Sequence, residues 1–235
     1  MIALALLSAA SCSRTLVGGK GQVSFEVISE QYVSEQTKGS VSEYTELPSG
    51  SDFTIIVTDA SKSSVWEGML DEWDTEALWP EGAYSVKAFY GDIEDEGFDK
   101  PYFVGETEFK VVNEQTSAVS VPVSLGNTLV KVGCSELFKD YYTEYAFEVS
   151  RDGMEIVTFG RDEERAAFVD GYKLTLSGTL AREGRQQSFT KDYSGLEPAT
   201  VYTFYFDIDN VGSATIKVSF NDEVETIDLG NVELN

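Results

Sequence analysis

Leu78-Trp79-Pro80-Glu81-Gly82-Ala83-Tyr84 and Leu196-Glu197-Pro198-Ala199-Thr200-Val201-Tyr202 share the form L-x-P-x-x-x-Y and lie half the chain apart. Each leads into alternating apolar residues, Val86, Ala88 and Tyr90 after the first and Phe204, Phe206 and Ile208 after the second. A Pro-led crossover between two sheets that ends in a Tyr, with the hydroxyl bonding back to the crossing backbone, produces this pattern. Pro80, Tyr84, Pro198 and Tyr202 are therefore read as structural corner residues, and their repetition predicts two tandem β-sandwich domains. The alternative is two unrelated Pro turns that each precede a strand.

The rest of the chain supports an all-β reading. Val23-Ser24-Phe25-Glu26-Val27, Phe53-Thr54-Ile55-Ile56-Val57, Phe109-Lys110-Val111-Val112, Val119-Ser120-Val121-Pro122-Val123 and Ile216-Lys217-Val218-Ser219-Phe220 are β-branched or aromatic, largely alternating, and punctuated by Gly, Asn, Asp and Ser. Residues 65–78 carry Val65, Met69, Trp73 and Ala77 at intervals of four and read as a loop with one helical turn. Ser135 reads as the N-cap of a short helix reaching Tyr142. The domains are expected at residues 23–125 and 126–235, with a short junction at Leu125-Gly126-Asn127 that predicts contact between them rather than free swinging.

Composition narrows the function. With 41 acidic and 17 basic side chains among 235 residues, the formal charge is −24. Nucleic-acid binding is excluded as a reading, because it depends on clustered Lys and Arg displacing counterions. The absence of histidine removes Ser-His-Asp and Cys-His nucleophile systems, His-ligated zinc and imidazole acid–base chemistry. Charge is uneven along the chain. Residues 21–99 hold only Lys38, Lys62 and Lys87 among many carboxylates, whereas Arg151, Arg161, Arg165, Lys173, Arg182, Arg185 and Lys191 crowd one later stretch. Two solvated faces explain that asymmetry, and so does head-to-tail association of an acidic with a less acidic domain.

Residues 1–11 begin with the apolar run MIALALLSAA, too short to span a bilayer and about the size of a signal-peptide core. Ala9-Ala10-Ser11-Cys12 then matches a bacterial lipobox, which makes Cys12 the predicted lipidation site and residues 12–22 a lipidated tether containing Gly18, Gly19 and Gly21. Two departures from the lipoprotein pattern stand out: no Lys or Arg precedes the apolar run, and Ser13, Arg14 and Thr15 follow Cys12 in place of acidic residues. Of the 2 cysteines, lipidation of Cys12 leaves Cys134 with no intramolecular partner. Acyl chains contributing about 0.8 kcal/mol per buried CH₂ suffice to hold a soluble domain on a membrane.

Few residues suggest chemistry. Asp92-Ile93-Glu94-Asp95-Glu96-Gly97 begins like an EF-hand loop but has Phe103 at the twelfth position, where a bidentate Glu is required. A looser calcium site adding Asp99, and a weaker one at Asp207, Asp209 and Asn210, compete with plain solvated loops, and no metal or cofactor is assigned. Paired carboxylates of the glycosidase kind arise by chance among so many acids; no enzymatic activity is expected. Either Trp66 and Trp79 cap the first core while Trp73 fills the loop, or the three present flat faces to a carbohydrate.

A broader likeness joins these features. The lipobox cysteine, the early strand, the strand opening at Asp52-Phe53, the turn Trp79-Pro80-Glu81-Gly82-Ala83-Tyr84, and Gly97-Phe98-Asp99-Lys100-Pro101-Tyr102-Phe103-Val104-Gly105 resemble a family of Bacteroidetes outer-membrane lipoproteins that is similar to fimbrillins and fimbrial anchor or tip proteins. The resemblance implies transthyretin-like or immunoglobulin-like sandwiches of fimbrillin type, an outer-membrane lipid anchor, and a role in adhesion or fimbrial assembly. Partners so implied are the membrane, fimbrial subunits, or a surface glycan or protein. Subunits of such systems join when a strand of one chain completes a sheet of another. Here residues 224–234, with Ile227, Leu229, Val232 and Leu234, are either a donated strand or the last strand of their own domain.

Overall fold

Alternating apolar residues put most of the chain into strands. The computed structural model describes residues 18–30, 40–208, 215–220 and 223–228. The first half supplies β1 (Lys20–Ser29), β2 (Thr54–Asp59), β3 (Ser64–Met69), β4 (Trp79–Pro80), β5 (Gly82–Tyr90), β6 (Gly97–Phe98), β7 (Phe103–Val111) and β8 (Thr116–Leu125). The second supplies β9 (Thr128–Cys134), helix α1 (Glu136–Tyr141), β10 (Glu144–Arg151), β11 (Met154–Phe159), β12 (Ala167–Val169), β13 (Lys173–Arg182), β14 (Arg185–Ser194), β15 (Val201–Asp207), β16 (Thr215–Phe220) and β17 (Glu223–Asp228). Ser135 caps α1 as expected, its hydroxyl accepting the Phe138 N–H at 3.1 Å. Residues 65–78 differ from expectation: β3 occupies their start, followed by a 3-10 turn at Leu70–Glu72. A spacing of four is even, so Val65 and Met69 share a face of a strand as readily as of a helix.

The seven-stranded sheet β3-β2-β5-β7-β8-β1-β4 closes over one core. Its β7–β8 ladder stops after Phe103↔Leu125 and Val104↔Ser124. Pro122 has no N–H to continue it, and a Cβ on Gly105 would fall 2.0 Å from the Pro122 carbonyl oxygen. The two ends of the sheet therefore fold over each other. Ile55, Val57, Val86 and Ala88 from one end meet Val23, Val121 and Val123 from the other. In the second half, the four-stranded sheet β11-β10-β13-β14 faces the six-stranded β17-β16-β15-β9-β12-β6. Leu176, Leu180 and Phe147 meet Phe204, Phe206, Ile216 and Val218 there. Tight turns at Asp152-Gly153 and Glu183-Gly184, with φ of 50° and 82° and of 50° and 75°, match the right-handed twist of their hairpins.

The halves share a topology. The opening strand runs parallel to a late one in each, β1 with β8 and β9 with β15. The hairpins β2–β3 and β10–β11 correspond, as do β5 with β13 and β7 with β14, leaving β16 and β17 as additions. The two L-x-P-x-x-x-Y segments do not occupy corresponding places: Tyr84 opens β5, whose counterpart is β13, whereas Tyr202 lies in β15, whose counterpart is β8. The architecture repeats, and the motif marks two different entries into it.

Candidate functional site

The three tryptophans gather at the open side of β1. Trp73 is buried and its indole N–H donates to the Val23 carbonyl at 2.8 Å. Its ring stacks on Trp79 at 5.0 Å and 19°, and meets Trp66 edge-on at 4.9 Å and Phe25 at 4.8 Å. Trp79 continues to Tyr84, and Tyr84 stacks on Phe109. Trp73, buried among these rings, offers no open face to a pyranose. Trp66 and Trp79 remain half-buried.

Both corner tyrosines bond back to the segment that precedes them, with opposite polarity. The Tyr84 hydroxyl donates to the Pro80 carbonyl at 3.0 Å, whereas the Tyr202 hydroxyl accepts the Glu197 N–H at 3.1 Å. Burial, with a smaller contribution from the Asp59 charge, raises the Tyr84 phenol above its ordinary pKa. Asp59 is itself held below the usual carboxylate range by the Ser61 hydroxyl and the backbone N–H groups of Ser63 and Ser61.

In the acidic stretch at 92–99, weighed as a looser calcium site against a solvated loop, Asp95, Glu96 and Asp99 pair with the chain's own cations. Asp95 pairs with Lys100 at 2.8 Å and Asp99 with Arg165 at 2.6 Å, while Glu96 takes both Arg151 and the Asp170 N–H. Among the described residues no group of three or more carboxylate or thiol ligands converges on a cation position. The stretch instead joins the two halves. β6 pairs with β12, Phe98 meets Phe159 at 5.3 Å, and the Arg165 guanidinium lies 4.4 Å over the Phe98 ring. Part of the charge asymmetry is spent inside one molecule: Arg151 and Arg165 answer carboxylates of the first half, Arg161 donates to the carbonyls of Tyr142, Thr143 and Lys139, and Arg182 stacks on Tyr141.

The sequence reading placed Asn127 at the junction without assigning it bonds, and it missed the other residues there. Buried Asn127 accepts the Tyr102 N–H through its side chain and the Ala199 N–H through its carbonyl. Leu129, Phe168 and Val201 enter the first core, and their neighbours Val130, Ala167 and Tyr202 enter the second. A strand buried on both faces reads as an unbroken apolar run, so Ala166-Ala167-Phe168-Val169 carried a signal that was not used. Glu96 with Arg151, far apart in sequence, carried none.

Sheet edges are the remaining sites. On β1 the residues facing away from β8 find Trp79 opposite Gly21 and the Trp73 indole at Val23. From Phe25 to Ser29 that edge pairs with no strand among the described residues, but the turn at Gly50–Asp52 lies against it at the Val27 carbonyl. β3 and β11 are likewise outer strands, with Val65 and Met154 exposed. Glu223–Asp228 pairs with β16 of its own chain, from Thr215↔Asp228 to Phe220↔Glu223, so this part of the C-terminal segment is an ordinary last strand. Residues 229–235 lie outside the described residues, as do Cys12, Asp209 and Asn210. No helix among the described residues is long and apolar enough to cross a membrane. Cys134 is half-buried, which pushes its thiol up to about 11 and leaves it protonated and weakly nucleophilic at neutral pH.

The paired β-sandwiches, with outer strands that pair on one side only among the described residues, give the chain the architecture of the fimbrial β-sandwich class. The chain belongs to the family described as Domain of unknown function (DUF4493), which matches residues 19–233. Its fold is that of a fimbrial assembly protein from Parabacteroides distasonis, with a TM-score of 0.50 and 6% identity over 90% of this chain and 99% of that one. More distant likenesses are a candidate adhesin from Bacteroides thetaiotaomicron (TM-score 0.48, 13% identity, 92% and 100% covered) and the fimbrial anchor protein Mfa2 from Porphyromonas gingivalis (0.41, 12%, 87% and 98%). A search of curated proteins finds no match.

Proposed function

We propose that this chain is a non-enzymatic, lipid-anchored protein of the outer membrane that serves fimbria-associated adhesion or assembly, held by acylated Cys12 and joined to fimbrial subunits through sheet edges. The observation that carries the reading is that the outer strands β3 and β11 each pair on one side only among the described residues, in a fold shared with a fimbrial assembly protein. Edge pairing supplies affinity through backbone hydrogen bonds without any catalytic group. Acylation and exposure are tested together in cells producing the protein. A palmitate analogue labels the native chain and not Cys12→Ala, and external protease removes the native chain from intact cells. Undiminished label in Cys12→Ala removes the anchor from this account, and full protection from protease places the protein on the periplasmic face.

A further inference from the structure

We infer that the first sandwich is a load-bearing unit in which β1 and β8 form a clamp that resists tension by shear. The inference rests on the anchor reading above for the direction of pull, with the partner held by the second half, whose outer strand is β11. β1 is the first strand after the tether, and it runs parallel to β8 through an unbroken register from Gln22↔Thr116 to Ser29↔Val123. Tension from the membrane enters β1 at Lys20. It leaves the sandwich at the opposite end, where Tyr90 pairs with Phe103 and Phe103 with Leu125, and where the junction to the second half is made. Pull at one end and resistance at the other act along the strand axis, so the whole ladder is loaded at once. Backbone bonds loaded together fail together, while bonds loaded crosswise open one after another, each contributing only about 1 kcal/mol net.

The surroundings fit this use. Pro122 interrupts the ladder to β7 but leaves the one to β1 intact, because in the parallel register Val121 and Val123 provide the N–H groups facing β1. The ladder's ends are bonded outside the strand too, Gln22 N–H to the Gln115 carbonyl at 2.9 Å and Glu30 N–H to the Val123 carbonyl at 2.7 Å. Val23 is held in addition by the Trp73 indole, and Phe25 by aromatic contacts with Trp73 and Phe109. At the exit end the load is shared by Glu96 with Arg151, by β6 with β12 and by Asn127. The second half repeats the parallel pair β9–β15, but its β16–β17 hairpin is antiparallel and peels when pulled from its end.

Single-molecule force spectroscopy on the purified full chain tests the clamp by changing only the direction of pull. One handle sits at the N-terminus, and the second at exposed Glu94, beyond the exit end, or at exposed Glu114, beside the start of β1, where its N–H meets the Lys20 carbonyl. Pulling to Glu94 shears β1 along β8, and pulling to Glu114 unzips them. At equal pulling speed the first geometry is expected to rupture at several-fold higher force, forced unfolding being governed by the barrier to unfolding. Equal forces, or a stronger unzipping geometry, overturn the clamp. The force ratio is read on chain without lipid, so its failure is distinct from a failure of Cys12 to be acylated.

Discussion

At the residue scale the two corner tyrosines separate by their bonds. Tyr84→Phe removes a donor to Pro80 and should cost about 1 kcal/mol. Tyr202→Phe should cost more, because it leaves the part-buried Glu197 N–H without its acceptor. Truncation of buried Tyr202 to Ala should approach the about 3–5 kcal/mol of a lost core ring. Urea unfolding of the three variants measures these differences, and equal, negligible effects would make both bonds incidental. Buried acids set the response to base. Burial, as the leading cause, pushes Cys134 up to about 11 and Tyr142, Tyr145 and Tyr193 up to about 12. The unfolded chain releases these protons earlier, so it binds fewer of them over this range and stability falls as pH rises. Melting temperature should therefore drop between about pH 9 and 12, and an absorbance titration should show a late-ionising group of tyrosines that merges with the rest on denaturation.

At the scale of elements, the strongest expectation concerns the joint between halves. Arg151→Ala leaves Glu96 largely buried and unpaired except for the Asp170 N–H, and should destabilise by somewhat less than the about 3–5 kcal/mol typical of fully buried pairs. Calorimetry should show the loss, and the double variant Arg151→Ala with Glu96→Gln should recover part of it. Strands were legible where one face is buried and the other wet, as in β8, whose Val119, Val121, Val123 and Leu125 alternate with exposed positions. β3 was hidden because a period of four suits both helix and strand, and its exposed face gave no apolar contrast. β6 and β12 were hidden because they are very short and exist through each other, a pairing across halves that no local pattern encodes. The tryptophans were legible as a cluster, but whether their faces opened outward depended on β1, β4 and the turn at Leu70–Glu72 meeting in space.

For the molecule as a whole, the L-x-P-x-x-x-Y repeat led to two sandwiches although its copies enter non-corresponding strands. Two halves of similar topology each need a polar crossover into a buried strand, and Pro with Tyr serves that need at more than one place. Charge was legible in amount and not in use: the acidic half meets the basic stretch within one chain, through Glu96, Asp99, Arg151 and Arg165. What remains outward among the described residues is a surface rich in carboxylates with outer strands paired on one side only, and the function we propose rests on those edges. The most direct test places a photo-crosslinking residue at exposed edge positions Ile28, Val65 or Met154 in cells that assemble fimbriae, with exposed Lys87 on the outer face of β5 as control. Light should join an edge position, and not Lys87, to a fimbrial subunit, with the adduct mapped by mass spectrometry to an extended segment of that partner. Monomer alone at all three edge positions, in cells whose fimbriae are intact, would contradict strand association as the way this protein works.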